Sequence, residues 1–154
     1  LYFEVGLLHE DELWVPQVFT LASNMKFLNY PFYVYRINRK GSIMNSTSIK
    51  NAEHRFIIMD KLKTKASLLD GNKKKSLQYS MAALLYSVMV QSVSFSGSEK
   101  KYLWINIQER INALKIDKYK VIYVTYKILG NTLFVKIWDS VIRIFKSSII
   151  PVVK

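Results

Sequence analysis

The fold of this chain is decided over residues 46–72, which read STSIKNAEHRFIIMDKLKTKASLLDGN. Apolar side chains recur there at spacings of three and four, at Ile49, Ala52, Phe56, Met59, Leu62, Ala66 and Leu69. This spacing places them on one face of an α-helix. The helix should begin at Ser46 or Thr47 and end before Gly71, because glycine commonly follows the last residue of a helix. We therefore predict a long amphipathic helix with one buried face.

The residues after this helix also follow helical patterns. Residues 76–98 carry no charge and are long enough to cross a membrane, but their serines and glutamines favour a helix buried in a bundle. Residues 99–115 place apolar side chains on one side of a further helix, at Leu103, Ile107, Ile111 and Leu114. Residues 118–129 fit either a helix or a strand. Gly130 then breaks the chain ahead of a last amphipathic helix.

Upstream, the acids Glu10, Asp11 and Glu12 stand shortly before Pro16. Proline lacks an N–H and is tolerated in a helix only in the first turn. The helix should therefore begin within residues 12–15, which leaves the carboxylates in the loop and cap before it. Backbone N–H groups and the positive end of the helix dipole favour negative charge at that place.

Residues 26–36 (KFLNYPFYVYR) are rich in aromatic and β-branched side chains and hold a proline at their middle. This composition predicts an edge strand or two short extended segments. A basic loop follows over residues 36–46. We therefore predict an α/β fold for residues 1–46, joined to a mostly α-helical, basic region over residues 47–154.

Charge and composition limit the classes of function. The chain has 154 residues, a formal net charge of +12 and 50% hydrophobic residues, enough for one ordinary domain with a core. Residues 1–35 hold more acids than bases, whereas the remainder is strongly basic. That remainder should attract anionic lipid, nucleic acid or phosphorylated small molecules. Since there is no cysteine, neither a disulfide nor a thiolate metal site can form.

The chain opens at Leu1, and its first methionine is Met25. We therefore expect either a piece of a longer protein or a processed N-terminus, and the opening does not follow the pattern of a signal peptide. The lack of cysteine fits a reducing compartment. We expect a cytoplasmic protein, peripheral on the inner face of the cell membrane if its last helix binds lipid.

Several short elements follow one another along about residues 1–50. They are Phe-Glu-Val-Gly at 3–6, His-Glu-Asp-Glu at 9–12, the Trp/Pro helix, an aromatic segment ending in Tyr-Arg at 35–36, and Arg-Lys-Gly-Ser-Ile at 39–43. As an ordered set they resemble the second half of the catalytic domain of family 2 glycosyltransferases, which have the GT-A fold and act in bacterial polysaccharide synthesis.

The resemblance implies an inverting transfer from a nucleoside-diphosphate sugar to a glycan or lipid-linked acceptor. The residue that matches the family's general base is Asp11, and Glu10 and Glu12 would orient it or contact the acceptor. Such a base must be ionised, rigidly held and within hydrogen-bond reach of the acceptor hydroxyl. Alternatively, Asp11 or Glu12 is simply an N-cap and first-turn acid that stabilises the helix by ~0.5–2 kcal/mol. We expect His9 to be a packed or exposed residue and His54 to lie on the surface.

The resemblance also implies that Arg36, Arg39 and Ser42 lie near the donor diphosphate, where guanidinium groups can bind phosphate oxygens. An exposed basic loop without that role is the alternative. The family's nucleotide-binding half, with its Asp-x-Asp motif for a divalent metal, is missing from this sequence. We therefore expect Mg or Mn in the full-length enzyme, no metal site in this chain alone, and no turnover by this chain in isolation.

The last helix, over residues 131–147, has one apolar face and one cationic face. The apolar face holds Phe134, Ile137, Trp138, Val141 and Phe145. This face either packs on other helices or lies on an anionic membrane surface. The alternative function is therefore a non-enzymatic, basic helical module that acts as a membrane-peripheral or adaptor protein. Nucleic acid is not expected as a partner, because the bases are dispersed and no binding motif is present.

Overall fold

The computed structural model describes residues 1–31, 34 and 48–149 of the chain, the last four of these as backbone only. Its helices, in chain order, are α1 (Glu10–Leu21), α2 (Ile49–Ala66), α3 (Gly71–Ser92), α4 (Gly97–Arg110) and α5 (Lys120–Ile149), with 3₁₀ segments at Ile111–Lys115 and Asp117–Tyr119. The chain divides into two compact units, Leu1–Leu77 and Gln78–Lys154. The predicted boundary at residue 46 lies outside the described residues.

The prediction of an α/β fold for residues 1–46 is wrong, because the described part of the chain is helical and contains no strand or sheet. Of the predicted strand over 26–36, residues 26–31 and 34 are described, and they are neither helix nor strand. A strand satisfies its backbone N–H and C=O groups only beside another strand. With no such neighbour among the described residues, the side chain of Phe27 is 98% exposed instead of lying on a sheet.

Helix α1 begins earlier than predicted, at Glu10 rather than within residues 12–15. Its N-cap is His9, which adopts the left-handed conformation with φ 59° and ψ 40° and makes no side-chain capping bond. The carboxylates therefore form the first turn of the helix instead of preceding it. Pro16 lies inside α1, so the helix continues through a residue that has no N–H to donate.

Helix α2 confirms the helix predicted from the spacing of its apolar residues, but its predicted end is wrong: α2 stops at Ala66, before Leu69, and Gly71 is the first residue of α3. Ser48 is the N-cap, and its hydroxyl accepts a hydrogen bond from the backbone N–H of Asn51. The predicted face is buried at Ala52, Phe56, Met59, Leu62 and Ala66, and Ile58 is buried with them. This face supplies much of the core of the first unit.

Helix α3 covers most of the uncharged segment 76–98, and its buried residues confirm a packed helix. The buried set is Leu77, Met81, Ala82, Leu84, Leu85, Val88, Met89 and Ser92. The buried hydroxyl of Ser92 donates to the Met89 carbonyl at 2.7 Å, so this polar group is satisfied within its own helix. No helix among the described residues combines the length and apolar character that crossing a bilayer requires.

The core of the second unit is aromatic. Phe134 stacks on Trp138 with ring centroids 5.7 Å apart, and Trp104 and Tyr126 meet Phe134 edge to face. The apolar residues predicted for the helix over 99–115 are all buried, at Leu103, Ile107, Ile111 and Leu114. The ambiguous segment 118–129 is mainly helical, and Gly130, with φ 69° and ψ 171°, interrupts α5 where the sequence predicted a break.

Candidate functional site

The acids at the start of α1 differ in their surroundings. Glu10 and Glu12 are half-buried, whereas Asp11 is exposed. Among the described residues, no group forms a hydrogen bond or ion pair with the Asp11 carboxylate. The Asp11 carboxylate is therefore exposed and makes no contact with another polar group of the described residues.

Glu12 is held by Arg55, which projects from α2. The guanidinium Nε lies 2.9 Å from Oε2 of Glu12, and Nη2 lies 3.0 Å from Oε1. The Arg55 side chain is 7% exposed and that of Glu12 is 28% exposed. Both carboxylate oxygens are thus occupied in a bidentate, partly desolvated pair, the geometry in which arginine binds carboxylate most strongly. The pair fixes the first turn of α1 against α2.

His9 lies beside this pair and favours its neutral form. Burial lowers the pKa of the His9 imidazole, and the Arg55 guanidinium lowers it further, while the carboxylates of Glu12, Asp11 and Glu10 act in the opposite direction. The Nε2 atom of His9 is buried without a hydrogen-bond partner. A neutral, half-buried imidazole at this place does not add positive charge to the cluster.

Further polar contacts join the start of the chain to α2. The backbone N–H of Leu8 donates to Nδ1 of His54 at 2.8 Å, so this half-buried histidine is not the simple surface residue that the sequence suggested. Lys61 pairs with Glu4 at 2.9 Å, and the Lys65 ammonium donates to the side chain of Gln17. The bases of α2 thus neutralise part of the acidic start of the chain.

Sequence reasoning missed Arg55, although a signal was present. Arg55 stands between Ala52 and Phe56, inside the apolar face of α2. A charged residue on a buried face needs a partner of opposite charge, because an unpaired buried charge is strongly unfavourable. The nearest acidic cluster in the sequence was the one at the start of α1.

The predicted donor-binding residues Arg36, Arg39 and Ser42 lie outside the described residues, so their position relative to Asp11 stays a prediction. Within residues 1–31, 34 and 48–149, no group of three or more His, Asp or Glu side chains could hold a metal ion. The Asp-x-Asp motif is also absent from the sequence. The expectation of a divalent ion in the full-length enzyme stays a prediction.

A second candidate surface lies on α5 after Gly130. Apolar side chains are exposed there at Leu133, Ile137, Val141, Ile144 and Phe145. The predicted apolar face is thus divided, since Phe134 and Trp138 are buried in the core while its other members face solvent. The exposed residues occur at helical spacing and form a continuous apolar stripe with Lys136 and Arg143 nearby in sequence.

Comparisons with known proteins give no relative on which a function could be based. No family model matches the chain, and neither a curated protein nor a solved structure is significantly similar to it.

Proposed function

We propose that this chain contributes the acceptor-side part of an inverting glycosyltransferase, with Asp11 as the general base. The proposal is supported by the ordered sequence elements of residues 1–50 and by the geometry of the first turn of α1. The observation that carries it is the difference between two neighbouring acids. Glu12 is fixed by its ion pair with Arg55, while the Asp11 side chain is exposed. An anchored turn that presents one open carboxylate meets the requirement for a rigidly held base.

The proposed reaction needs few steps. The Asp11 carboxylate takes the proton of an acceptor hydroxyl, and the hydroxyl oxygen attacks the anomeric carbon of the donor sugar. The bond from that carbon to the nucleoside diphosphate breaks, with inversion at the carbon, and the diphosphate carries the electron pair away. Arg36, Arg39 and Ser42 would stabilise the charge on the leaving diphosphate.

The experiment replaces Asp11 by Asn in the enzyme that carries this segment. General-base catalysis typically contributes about 10²–10⁴-fold to a rate, so transfer should fall by that factor while donor binding stays nearly unchanged. Glu99→Gln is the matched control, because Glu99 is an exposed acid in the first turn of α4. Retained transfer by the Asp11→Asn enzyme, or an equal loss in the control, would refute the assignment.

A second candidate function is a basic helical module that binds an anionic membrane surface from the cytoplasmic side. The apolar stripe on α5 favours it, because exposed apolar residues on a cationic helix insert at the headgroup level of anionic bilayers. The chain should float with vesicles that contain anionic lipid and less with zwitterionic vesicles. Replacing Ile137 and Val141 by Asn should abolish flotation, whereas the same replacement of Val121 and Ile128, apolar residues before Gly130 that are more exposed, should not.

A further inference from the structure

A groove in the second unit lies between the start of α4 and the part of α5 that follows Gly130. Its volume is about 420 Å³. Its lining includes Lys100, Lys101, Trp104 and Ile105 from α4, and Asn131 and Lys136 from α5. The groove therefore combines several ammonium groups with an apolar wall, a combination that neither of the proposed functions explains.

The lysines of the groove are not equivalent. Lys100 forms an ion pair with Asp139, and both side chains are mostly buried, so its charge is already compensated within the unit. Lys101 and Lys136 are exposed, and neither forms an ion pair with any described residue. Two positive charges without an ion-pair partner thus border the groove. They favour a ligand that carries an anionic group.

The wall of the groove is apolar. Ile105 is 50% exposed, Val135 is half-buried, and Trp104 contributes a nearly buried indole whose N–H has no hydrogen-bond partner. Asn131 and Thr132 add neutral hydrogen-bonding groups near Lys136. An occupant that only carried charge would leave the apolar wall uncovered, so the ligand should be amphiphilic.

We propose that this groove binds the headgroup and first methylenes of one anionic phospholipid. The phosphate oxygens bind Lys101 and Lys136, the glycerol contacts Asn131 and Thr132, and the start of the acyl chains covers Ile105. This inference does not depend on membrane binding by the apolar stripe on α5. The groove would bind a single lipid molecule, whereas the stripe would lie on the surface of a bilayer.

The test uses the full chain and a soluble lipid, dihexanoylphosphatidylglycerol, below the concentration at which it forms micelles. Binding is followed through the indole N–H resonance of Trp104 in heteronuclear NMR spectra. The anionic lipid should bind about tenfold or more tightly than dihexanoylphosphatidylcholine, and also more tightly than inorganic phosphate. Equal affinity for phosphate would overturn the proposal, because it would show a simple anion site.

Lysine variants distinguish binding in the groove from a general attraction between anionic lipid and a basic protein. The double substitution Lys101→Gln and Lys136→Gln should lower affinity for the anionic lipid about tenfold. The matched control, Lys118→Gln and Lys127→Gln, removes the same charge from lysines that lie over the tyrosine rings of Tyr119 and Tyr123. An equal loss in both double variants contradicts a discrete site.

One further variant distinguishes lipid binding in the groove from membrane binding by the apolar stripe on α5. The double variant Ile137→Asn with Val141→Asn should bind the soluble lipid with unchanged affinity while it fails to float with vesicles. If the native chain floats but shows no saturable binding of the soluble lipid, the groove proposal is wrong and the peripheral-membrane proposal stands. If the native chain neither floats with vesicles nor binds the soluble lipid, the groove proposal and the peripheral-membrane proposal are both wrong.

Discussion

Arg55 binds both carboxylate oxygens of Glu12, with Nε at 2.9 Å from Oε2 and Nη2 at 3.0 Å from Oε1. This relationship explains why a basic chain gathers acids at its start. Glu12 compensates a guanidinium that would otherwise be buried on the apolar face of α2, and Glu4 pairs with Lys61 on the same helix. The third guanidinium nitrogen, Nη1, is buried without a hydrogen-bond partner.

We expect Glu12→Ala to destabilise the protein by about 3 kcal/mol, because it leaves Arg55 buried and unpaired. The figure is at the low end for buried pairs, since the Glu12 side chain is 28% exposed. Urea unfolding followed by circular dichroism measures the loss. Glu4→Ala is the control: its pair with Lys61 has both side chains more than 40% exposed, at 44% and 43%, and should contribute less than about 1 kcal/mol.

Replacing both partners distinguishes the ion pair from packing. In the double variant Glu12→Ala with Arg55→Met, no charge remains buried, and stability should recover in part relative to Glu12→Ala alone. If the effects of the two substitutions simply add, the carboxylate and guanidinium are not coupled and the interpretation of this pair is incorrect.

We expect a pH dependence of stability that originates at His9. Burial and the Arg55 guanidinium hold the pKa of this imidazole below its ordinary value of about 6.5. The unfolded chain therefore binds a proton at His9 more readily than the folded chain. Stability should be unaffected by His9 above pH 6.5, fall as the pH drops below that value, and level off once the pH is below the folded pKa.

His9→Asn provides the control, because asparagine tolerates the left-handed backbone at this position and does not titrate. The variant should lose part of the decline in stability just below pH 6.5. Arg55→Met should raise the pKa of His9 in an NMR titration of its ring protons, since a positive charge has been removed. An unchanged titration curve would show that the guanidinium does not act on His9.

The helices could be predicted from the sequence because their signals are local. Apolar spacing identified α2, and Gly130 marked the interruption of α5. Residues 26–36 were misjudged because β-propensity describes a side chain's fit in a paired sheet and does not show that a neighbouring strand exists. Pro16 misled for a related reason: packing of α1 on α2 maintains a helix that local preference would end.

The candidate site could be predicted only in part. The acids were found because they are adjacent in sequence, but the partner that gives Glu12 its structural role lies 43 residues further along the chain. Periodicity placed Arg55 on the buried face of α2 without indicating which acid would meet it. The same limit applies to the groove, where Lys101 and Lys136 are brought together only by the packing of α4 on α5.

We expect Trp138→Phe to destabilise the second unit by about 1–3 kcal/mol. The indole N–H of Trp138 donates to the Met89 carbonyl at 3.0 Å in a buried setting, and phenylalanine cannot replace that donor. The stacking on Phe134 should largely persist. The loss of stability would therefore come from the missing hydrogen bond and from the smaller ring. Trp14→Phe is the comparison in the first unit, and we expect it to lower the free energy of unfolding less than Trp138→Phe does. A larger loss for Trp14→Phe in urea unfolding would contradict this prediction.

Gly130→Ala should destabilise the protein by about 1–3 kcal/mol, because φ 69° with ψ 171° is a region that only glycine occupies readily. A Cβ at this position would meet no side chain or backbone from elsewhere in the fold within 4 Å, so the cost comes from the backbone conformation and not from a clash. Asparagine should not rescue the variant, since it tolerates left-handed helical angles but not this value of ψ. Thermal unfolding of Gly130→Ala, Gly130→Asn and the neighbouring control Asn131→Ala measures these differences. A stabilised Gly130→Ala protein would mean that α5 prefers to run straight and that its interruption is not required by the packing of Phe134 and Trp138.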